Sequence, residues 1–375
     1  MLPVAGTRPD LRSLSLDELA LLVSGMGAEP YRARQLFRWL HQRGASSIEE
    51  MTDLPRAFRQ RLADETRLAT LSIDAVQQSS DGTRKYRLRT EDGKFIEAVY
   101  MPEESDDTEE EPAAGRGGSG DEHLRLRRTL CVSTQVGCAM GCGFCMTATM
   151  GLLRNLSAGE IADQVYRVNA DLRTLGIPGE RALTNLVYMG MGEPLHNYAN
   201  VKRSLELLLH EEGAHFSQRH ITVSTSGLVP AIDRFGEETS VKLAVSLNAT
   251  TDEQREKLMP VDKKWNIAAL LQAVRRFPSR QGRRVTFEYV LLRGVNDSAE
   301  DAARLAKLLE GMQVKVNLIP YNENPGLGFG DPGAERVQAF RKELTSRGVT
   351  AMIRKNRGRD IAAACGQLAV AGQPA

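Results

Sequence analysis

The sequence predicts an α/β protein: a partial (β/α)6 barrel with a small N-terminal helical domain and a β-hairpin extension. Three observations predict it. From about residue 124 onward, short apolar runs alternate with helix-period segments. Before about residue 70 only helical periodicity is visible, and between the two the apolar residues alternate one by one. A chain of 375 residues, 41% hydrophobic and 26% charged, suffices for one large domain plus a smaller one. No apolar run is long enough to span a bilayer. The start, Met1-Leu2-Pro3-Val4-Ala5-Gly6, lacks the basic-then-apolar order of a secretory signal. Five cysteines, three of them in one tight motif, point to metal or redox chemistry in a reducing compartment rather than a disulfide framework. The expected location is the cytoplasm. A net charge of +1 does not announce a nucleic-acid partner. The basic clusters Arg280, Arg283, Arg284 and Arg354, Lys355, Arg357, Arg359 read on charge alone as solvated surface.

The helical domain is expected over residues 1–70. Ser15, with Glu18 three residues on, forms a capping box ahead of a helix Leu16–Val23. Tyr31, Ala33, Leu36, Phe37, Trp39 and Leu40 recur at helical spacing, with Arg32, Arg34, Gln35 and Arg38 between them. A third helix is expected from Arg56 to Leu68. The module is either a structural cap or a grip on structured RNA. In the extension, 71–102, Tyr86–Arg89 and Phe95–Tyr100 alternate around a turn at Asp92-Gly93, which predicts a hairpin. Glu97 shares the face of Phe95 and Val99, so its carboxylate is either paired with Arg or Lys or is a base with a raised pKa. Residues 103–123, acidic and then glycine-rich, predict a disordered loop.

The barrel is expected over 124–368. Strands are legible at Asn185–Tyr188, Ile221–Ser224, Leu243–Ser246, Val285–Leu291 and Val314–Ile319. Helical patterns follow at Val201–His210, Thr251–Leu258, Ile267–Phe277 and Ala299–Met312. With the apolar run Thr129–Ser133 this makes about six βα units, hence a parallel sheet. Barrel chemistry gathers in loops at the carboxyl ends of the strands. Those loops carry Met189-Gly190-Met191-Gly192-Glu193-Pro194, Ser224-Thr225-Ser226-Gly227, Ser246-Leu247-Asn248-Ala249 and Pro320-Tyr321-Asn322. Small and polar residues at successive strand ends suit a cofactor cradle.

Directly after the first strand stand Cys138, Cys142 and Cys145 at C-x3-C-x2-C spacing. One loop can wrap three such sulfurs around a metal centre. Three protein ligands leave a position of an iron–sulfur cluster open, whereas a structural zinc wants a fourth. No Cys or His follows within the next twenty residues, and His123 lies in a polar stretch upstream. A zinc knuckle completed from a distance, or inert buried thiols, remain the alternatives on spacing alone.

These motifs resemble those of radical S-adenosylmethionine (SAM) enzymes, in which C-x3-C-x2-C holds a [4Fe–4S] cluster and SAM occupies the free iron. The loop Gly192-Glu193-Pro194 is similar to the one that binds SAM's amino group. More narrowly, the chain resembles bacterial dual-specificity RNA adenine-C2 methyltransferases, which act on 23S rRNA and tRNA. The motifs that carry this resemblance are Cys131–Cys138, Met189–Leu195, Val223–Gly227 and Asp360–Leu368. It covers roughly Leu14 to Leu368. It implies a radical SAM barrel in which Cys138, Cys142 and Cys145 ligate the cluster. It also implies that Gly192, Glu193, Ser224, Ser246, Leu247, Asn248 and Asn322 contact SAM. Cys365 matches the methyl-carrying cysteine, Cys131 its partner thiol, and Glu97 the proton acceptor.

Two SAM molecules per turnover are implied. One methylates Cys365; the other is reduced at the cluster to a radical that activates that methyl group for addition to C2. Glu97, or Cys131 as thiolate, then removes the C2 proton, and Cys131 releases the product by attacking the Cys365 sulfur, with a transient disulfide. Flavodoxin is the implied electron donor and a monomer the implied state. The sequence departs from the family at the acidic insertion and at Asn248, where a histidine is usual. A related adenine-C8 methyltransferase that confers antibiotic resistance shares the same cysteines. A zinc-stabilised RNA-binding protein without catalysis is the reading from another class; it leaves Gly192-Glu193-Pro194, Cys131 and Cys365 without roles.

Overall fold

Apolar stripes and one capping box build the N-terminal helices of this computed structural model, which describes residues 8–102, 127–177, 182–278, 284–324 and 326–370. The acidic stretch, Arg280 and Arg283 lie outside the described residues. Helix α1 (Leu16–Gly25) begins at Ser15, whose Oγ accepts from the Glu18 N–H while the Ser15 N–H donates to Glu18 Oε2. Helices α2 (Tyr31–His41) and α3 (Arg56–Glu65) bury Leu36, Phe37, Leu40 and Leu62 against Leu19 and Val23 in a core of their own. Helix α3 stops three residues before the expected Leu68. Arg67 there pairs with Asp10 in an isolated bridge, and the Leu11 N–H donates to the Arg67 carbonyl at 2.9 Å, which holds the chain extended.

Strands β1 (Ser72–Gln78), β2 (Arg84–Arg89) and β3 (Phe95–Pro102) form an antiparallel meander rather than the two-stranded hairpin expected. β1 is exposed along nearly its whole length, so nothing selects alternation in its sequence. β3 pairs antiparallel with β4 (Arg128–Cys131), setting Val99 opposite Cys131.

After β4 a short ribbon, β5 (Gln135–Gly137) with β6 (Leu152–Asn155), brackets the cysteine loop and α4 (Met146–Thr149). Helix α5 (Ala158–Thr174) then leads to β7 (Asn185–Tyr188). The rhythm continues through α6 (Tyr198–Leu209), β8 (Ile221–Thr225), α7 (Val229–Glu238), β9 (Lys242–Ser246), α8 (Asp252–Leu258) and α9 (Ile267–Arg276). It ends with β10 (Val285–Leu291), α10 (Ala299–Leu308), β11 (Val314–Pro320), α11 (Ala334–Ser346) and β12 (Thr350–Ile353).

The sheet order is β1-β2-β3-β4-β7-β8-β9-β10-β11-β12. From β4 to β12 all pairings are parallel, so β12 adds one parallel strand to the six expected. The sheet stays open between β1 and β12, as a partial barrel does. Both faces of its central strands are covered, which is why they read as continuous apolar runs. Among the described residues no helix is long and apolar enough to cross a membrane.

Candidate active site

The cysteine loop is fixed by backbone bonds rather than by its thiols. The Cys138 N–H donates to the Gly151 carbonyl at 2.9 Å, and the Gly143 N–H to the Leu258 carbonyl at 2.9 Å. The loop thereby bridges the β5–β6 ribbon and the end of α8. Cys138, Cys142 and Cys145 all line one cavity, with Gly192, Glu193, Ser224, Ser226, Ser246 and Asn248 across from them. Burial pushes the Cys138 thiol up to about 12 and raises Cys142 as well. Such thiols are neutral on their own and ionise when a metal replaces the proton. Among the described residues no three Cys, His, Asp or Glu side chains converge tightly enough for a single metal ion. Three soft donors around one space suit a polynuclear cluster, whose thiolates sit on separate metal atoms.

The glycine loop after β7 is folded tightly against β4 and β5. A Cβ on Gly190 would lie 2.8 Å from the Val132 carbonyl oxygen. On Gly192, whose φ is +99°, it would lie 2.5 Å from Gln135 Cβ. Glu193 is buried; one carboxylate oxygen accepts from the Leu195 N–H at 3.0 Å, the other from the Ser226 N–H at 2.7 Å. Burial raises its carboxyl. Each oxygen retains a lone pair for a cationic ligand group.

Asn248 occupies left-handed backbone, φ +57°, which asparagine tolerates better than most residues. Its Oδ1 accepts from the Val290 N–H at 2.8 Å, so its side chain holds β10 as well as facing the cavity. Leu247 is fully buried, its N–H donating to the Glu288 carbonyl at 3.0 Å. Asn322 Oδ1 accepts from Asn356 Nδ2 at 2.9 Å. Neither Leu247 nor Asn322 is on the cavity wall.

Behind these loops lies Arg255, fully buried and not anticipated from the sequence. Its guanidinium donates to the carbonyls of Ser226 at 2.7 Å, Ser246 at 3.1 Å and Leu247 at 3.1 Å, and to Asp262 Oδ1 at 2.7 Å. One side chain thus ties the carboxyl ends of β8 and β9 together.

A second cavity adjoins the first. Cys131, Thr129, Arg354, Lys355 and Arg357 line it, so three of the four residues of a basic cluster that charge alone reads as surface border a site. Cys365 lines both cavities, as do Met189, Glu288, Ile319 and Leu368. Its thiol is accessible through the cavity; the protein around it, with Glu288 next in effect, pushes it up to about 11. Burial raises Cys131, and the charge of Cys365 adds to that.

The loop bearing Cys365 is pinned on both sides. Ser79 Oγ donates to Asp360 Oδ1 at 2.5 Å and the Gly358 N–H to Asp81 Oδ2 at 2.9 Å, both from the β1–β2 turn. Beyond Cys365, the Met146 N–H donates to the Gly366 carbonyl at 2.7 Å, and Thr147 Oγ1 to the Leu368 carbonyl at 2.6 Å. Glu97 Oε2 accepts from the Ala369 N–H at 3.1 Å, while Oε1 pairs with Lys85 Nζ at 3.4 Å. Glu97 therefore lies behind this loop rather than on either cavity wall. Its carboxyl is raised by burial, with Lys85 opposing.

Glu288, like Arg255, was not singled out in the sequence. Its signal was a carboxylate inside the apolar run Val285–Leu291, a position that demands a partner or a function. A larger surface cleft lined by Arg304, Lys307, Met312 and Arg347 includes none of the five thiols.

An open parallel sheet with a C-x3-C-x2-C loop beyond its first parallel strand and a glycine-rich loop beyond the next defines a radical SAM enzyme. Comparisons agree. The model of the radical SAM superfamily matches residues 132–306, and that of the ribosomal RNA large subunit methyltransferase N-terminal domain matches 9–68. A dual-specificity RNA methyltransferase RlmN from Anaeromyxobacter dehalogenans is 60% identical over 98% of this chain and 93% of its own length. One from Geobacter sulfurreducens is 48% identical over 96% and 92%. A crystal structure of a radical SAM methyltransferase from Sphaerobacter thermophilus superposes with a TM-score of 0.85, at 46% identity, covering 96% of this chain and 99% of that one. The chain belongs to the RlmN family of dual-specificity RNA methyltransferases. This membership brings a [4Fe–4S] cluster and SAM as cofactors.

Proposed function

We propose that the protein methylates C2 of a specific adenine in the peptidyl-transferase centre of 23S rRNA and of the adenine next to the anticodon in tRNAs, through a methyl group carried on Cys365. One observation carries this reading: Cys365 stands on the wall common to the thiol-lined cavity and to the cavity that holds Cys131. A carrier must meet a donor on one side and an acceptor on the other. Inert thiols would not need that placement.

Cys138, Cys142 and Cys145 would hold the cluster, and Gly192, Glu193, Ser224, Ser246 and Asn248 would hold SAM, with Leu247 and Asn322 supporting from behind. When bound, the two cofactors supply the methyl group and the radical activation that an electron-poor sp2 carbon requires. Every other task falls to the protein. Glu193 offers carboxylate lone pairs to an ammonium group in a space from which water is largely excluded. Arg255 keeps Ser226 and Ser246 in register around that group. Arg354, Lys355 and Arg357 give the second cavity a positive mouth suited to a phosphodiester beside the target base. Glu97 would take the C2 proton. Burial raises its carboxyl, which makes the ionised form a stronger base, and its bond to the Ala369 N–H couples it to the loop of Cys365. Cys131 would then attack the Cys365 sulfur to free the product; both thiols border one cavity. Flavodoxin as electron donor, a monomeric state and a cytoplasmic location belong to the same proposal.

The experiment is mass spectrometry of adenosines in 23S rRNA and tRNA from a strain lacking the gene, complemented with wild type or Cys365→Ala. Restoration of 2-methyladenosine by wild type alone supports the reading. An 8-methyladenosine signal replaces it with the C8 activity, and no change in any methyladenosine refutes both.

A further inference from the structure

Methylation of Cys365 leaves one atom without a destination, the proton of its thiol. A thioether that kept the proton would be a strong acid beside a cluster of buried groups, so the proton must leave as the methyl arrives. Among the described residues, one carboxylate lines both cavities together with Cys365, and it is Glu288. Glu288 sits within β10, buried among the central strands. Asn317 Nδ2 donates to its Oε1 at 2.9 Å, which fixes the carboxylate plane. Nothing in the mechanism above uses it.

We propose that Glu288 accepts the Cys365 thiol proton during methyl transfer to Cys365. In that step the Cys365 Sγ–H bond breaks and its proton passes to the Glu288 carboxylate. The Sγ–methyl bond forms as the bond from the methyl carbon to the donor sulfur breaks, and that electron pair stays on the donor sulfur. A sulfonium cation and a carboxylate become two neutral groups, so charge is cancelled within a poorly hydrated cavity and no oxidant or reductant is required. Electrostatics agree with the placement: Glu288 is the largest charged influence on the Cys365 thiol, and Arg354 and Lys315 favour its ionised form against burial. Arg354 and Cys145 are the other groups whose charge bears on Cys365, and Cys365 in turn bears on Cys131.

The test uses holoenzyme loaded with cluster and SAM, without RNA. Transfer of a trideuteromethyl group from labelled SAM to the Cys365 peptide is followed by mass spectrometry in wild type, Glu288→Gln and Glu288→Asp. The expected result is a loss of about 10²-fold or more for Glu288→Gln, with Glu288→Asp recovering part of it. Cofactor-free protein gives a readout of opposite sign. With the cavity open to water at pH 8, iodoacetamide should alkylate Cys365 several-fold faster in Glu288→Gln, because removal of the adjacent negative charge favours the thiolate. A merely structural role would not separate the two signs. Methyl transfer within about threefold of wild type, or an unchanged alkylation rate, overturns the proposal. The inference rests on Cys365 as methyl carrier. Absence of label from wild-type Cys365 overturns that reading and this one together, whereas label undiminished in Glu288→Gln overturns the role of Glu288 alone.

Discussion

Replacing Arg255 by Met should destabilise the protein by about 3–5 kcal/mol, the usual consequence of removing one partner of a buried ion pair. The structure sets that range. The substitution strips Asp262 Oδ1 of its 2.7 Å partner, and Asp262 Oδ2 has no hydrogen bond to begin with. It also strands the carbonyls of Ser226, Ser246 and Leu247 in a fully buried setting. A ceiling exists, because burial already raises the Asp262 carboxyl and Arg255 opposes the rise. Without Arg255 the carboxyl protonates more readily. A carboxyl held above its unfolded value binds more protons folded than unfolded, so its contribution to stability falls as pH rises. The deficit of the variant should therefore be smaller at pH 5 than at pH 8. Urea unfolding of cofactor-free protein, followed by tryptophan fluorescence, reads this directly, since Trp265 packs beside the pair. Arg255→Lys should lose about half as much, because an ammonium meets Asp262 but not all three carbonyls. A loss below about 1 kcal/mol for Arg255→Met, the level of a surface ion pair, would refute the reasoning.

Other predictions follow from the same geometry. Cys142→Ala should abolish the iron–sulfur chromophore, whereas Cys365→Ala should keep it and lose RNA methylation; absorption spectra of the purified variants separate the two. Gly192→Ala should destabilise by about 2–4 kcal/mol, from an overpacked Gln135 contact and a left-handed backbone, and should weaken SAM binding in equilibrium titrations. Glu193→Gln should lose about 1–2 kcal/mol from a mismatched amide. Burial raises the folded Glu193 carboxyl above 4.5, so wild type loses stability as pH climbs past that value and the variant does not. The gap between them, measured by urea unfolding, should narrow from pH 5 to pH 8.

Much of this was legible because periodicity and spacing report local physics. Strands Asn185–Tyr188 and Val285–Leu291 stand where their apolar runs end, and Ser15 with Glu18 caps α1 as the capping box predicts. The cysteine spacing brought three thiols to one cavity. What escaped depends on tertiary context. β1 has no buried face to pattern it, and β12 is only four residues long. Arg255 reads in sequence as one more charge on a short helix, and only the fold reveals five acceptors around it. That Glu97 would lie behind the Cys365 loop, and Glu288 beside Cys365, depends on how residues some seventy to 270 positions apart meet.

The central claim is that the methyl carbon reaches RNA by way of Cys365. Enzyme whose Cys365 carries a trideuteromethyl group, freed of labelled SAM and then given unlabelled SAM, reductant and RNA, tests it in the first turnover. The account predicts that the first methyladenosine formed contains the deuterium-labelled carbon and that the label leaves Cys365 in equal amount. A first product with an unlabelled methyl group, and Cys365 still fully labelled, would contradict it.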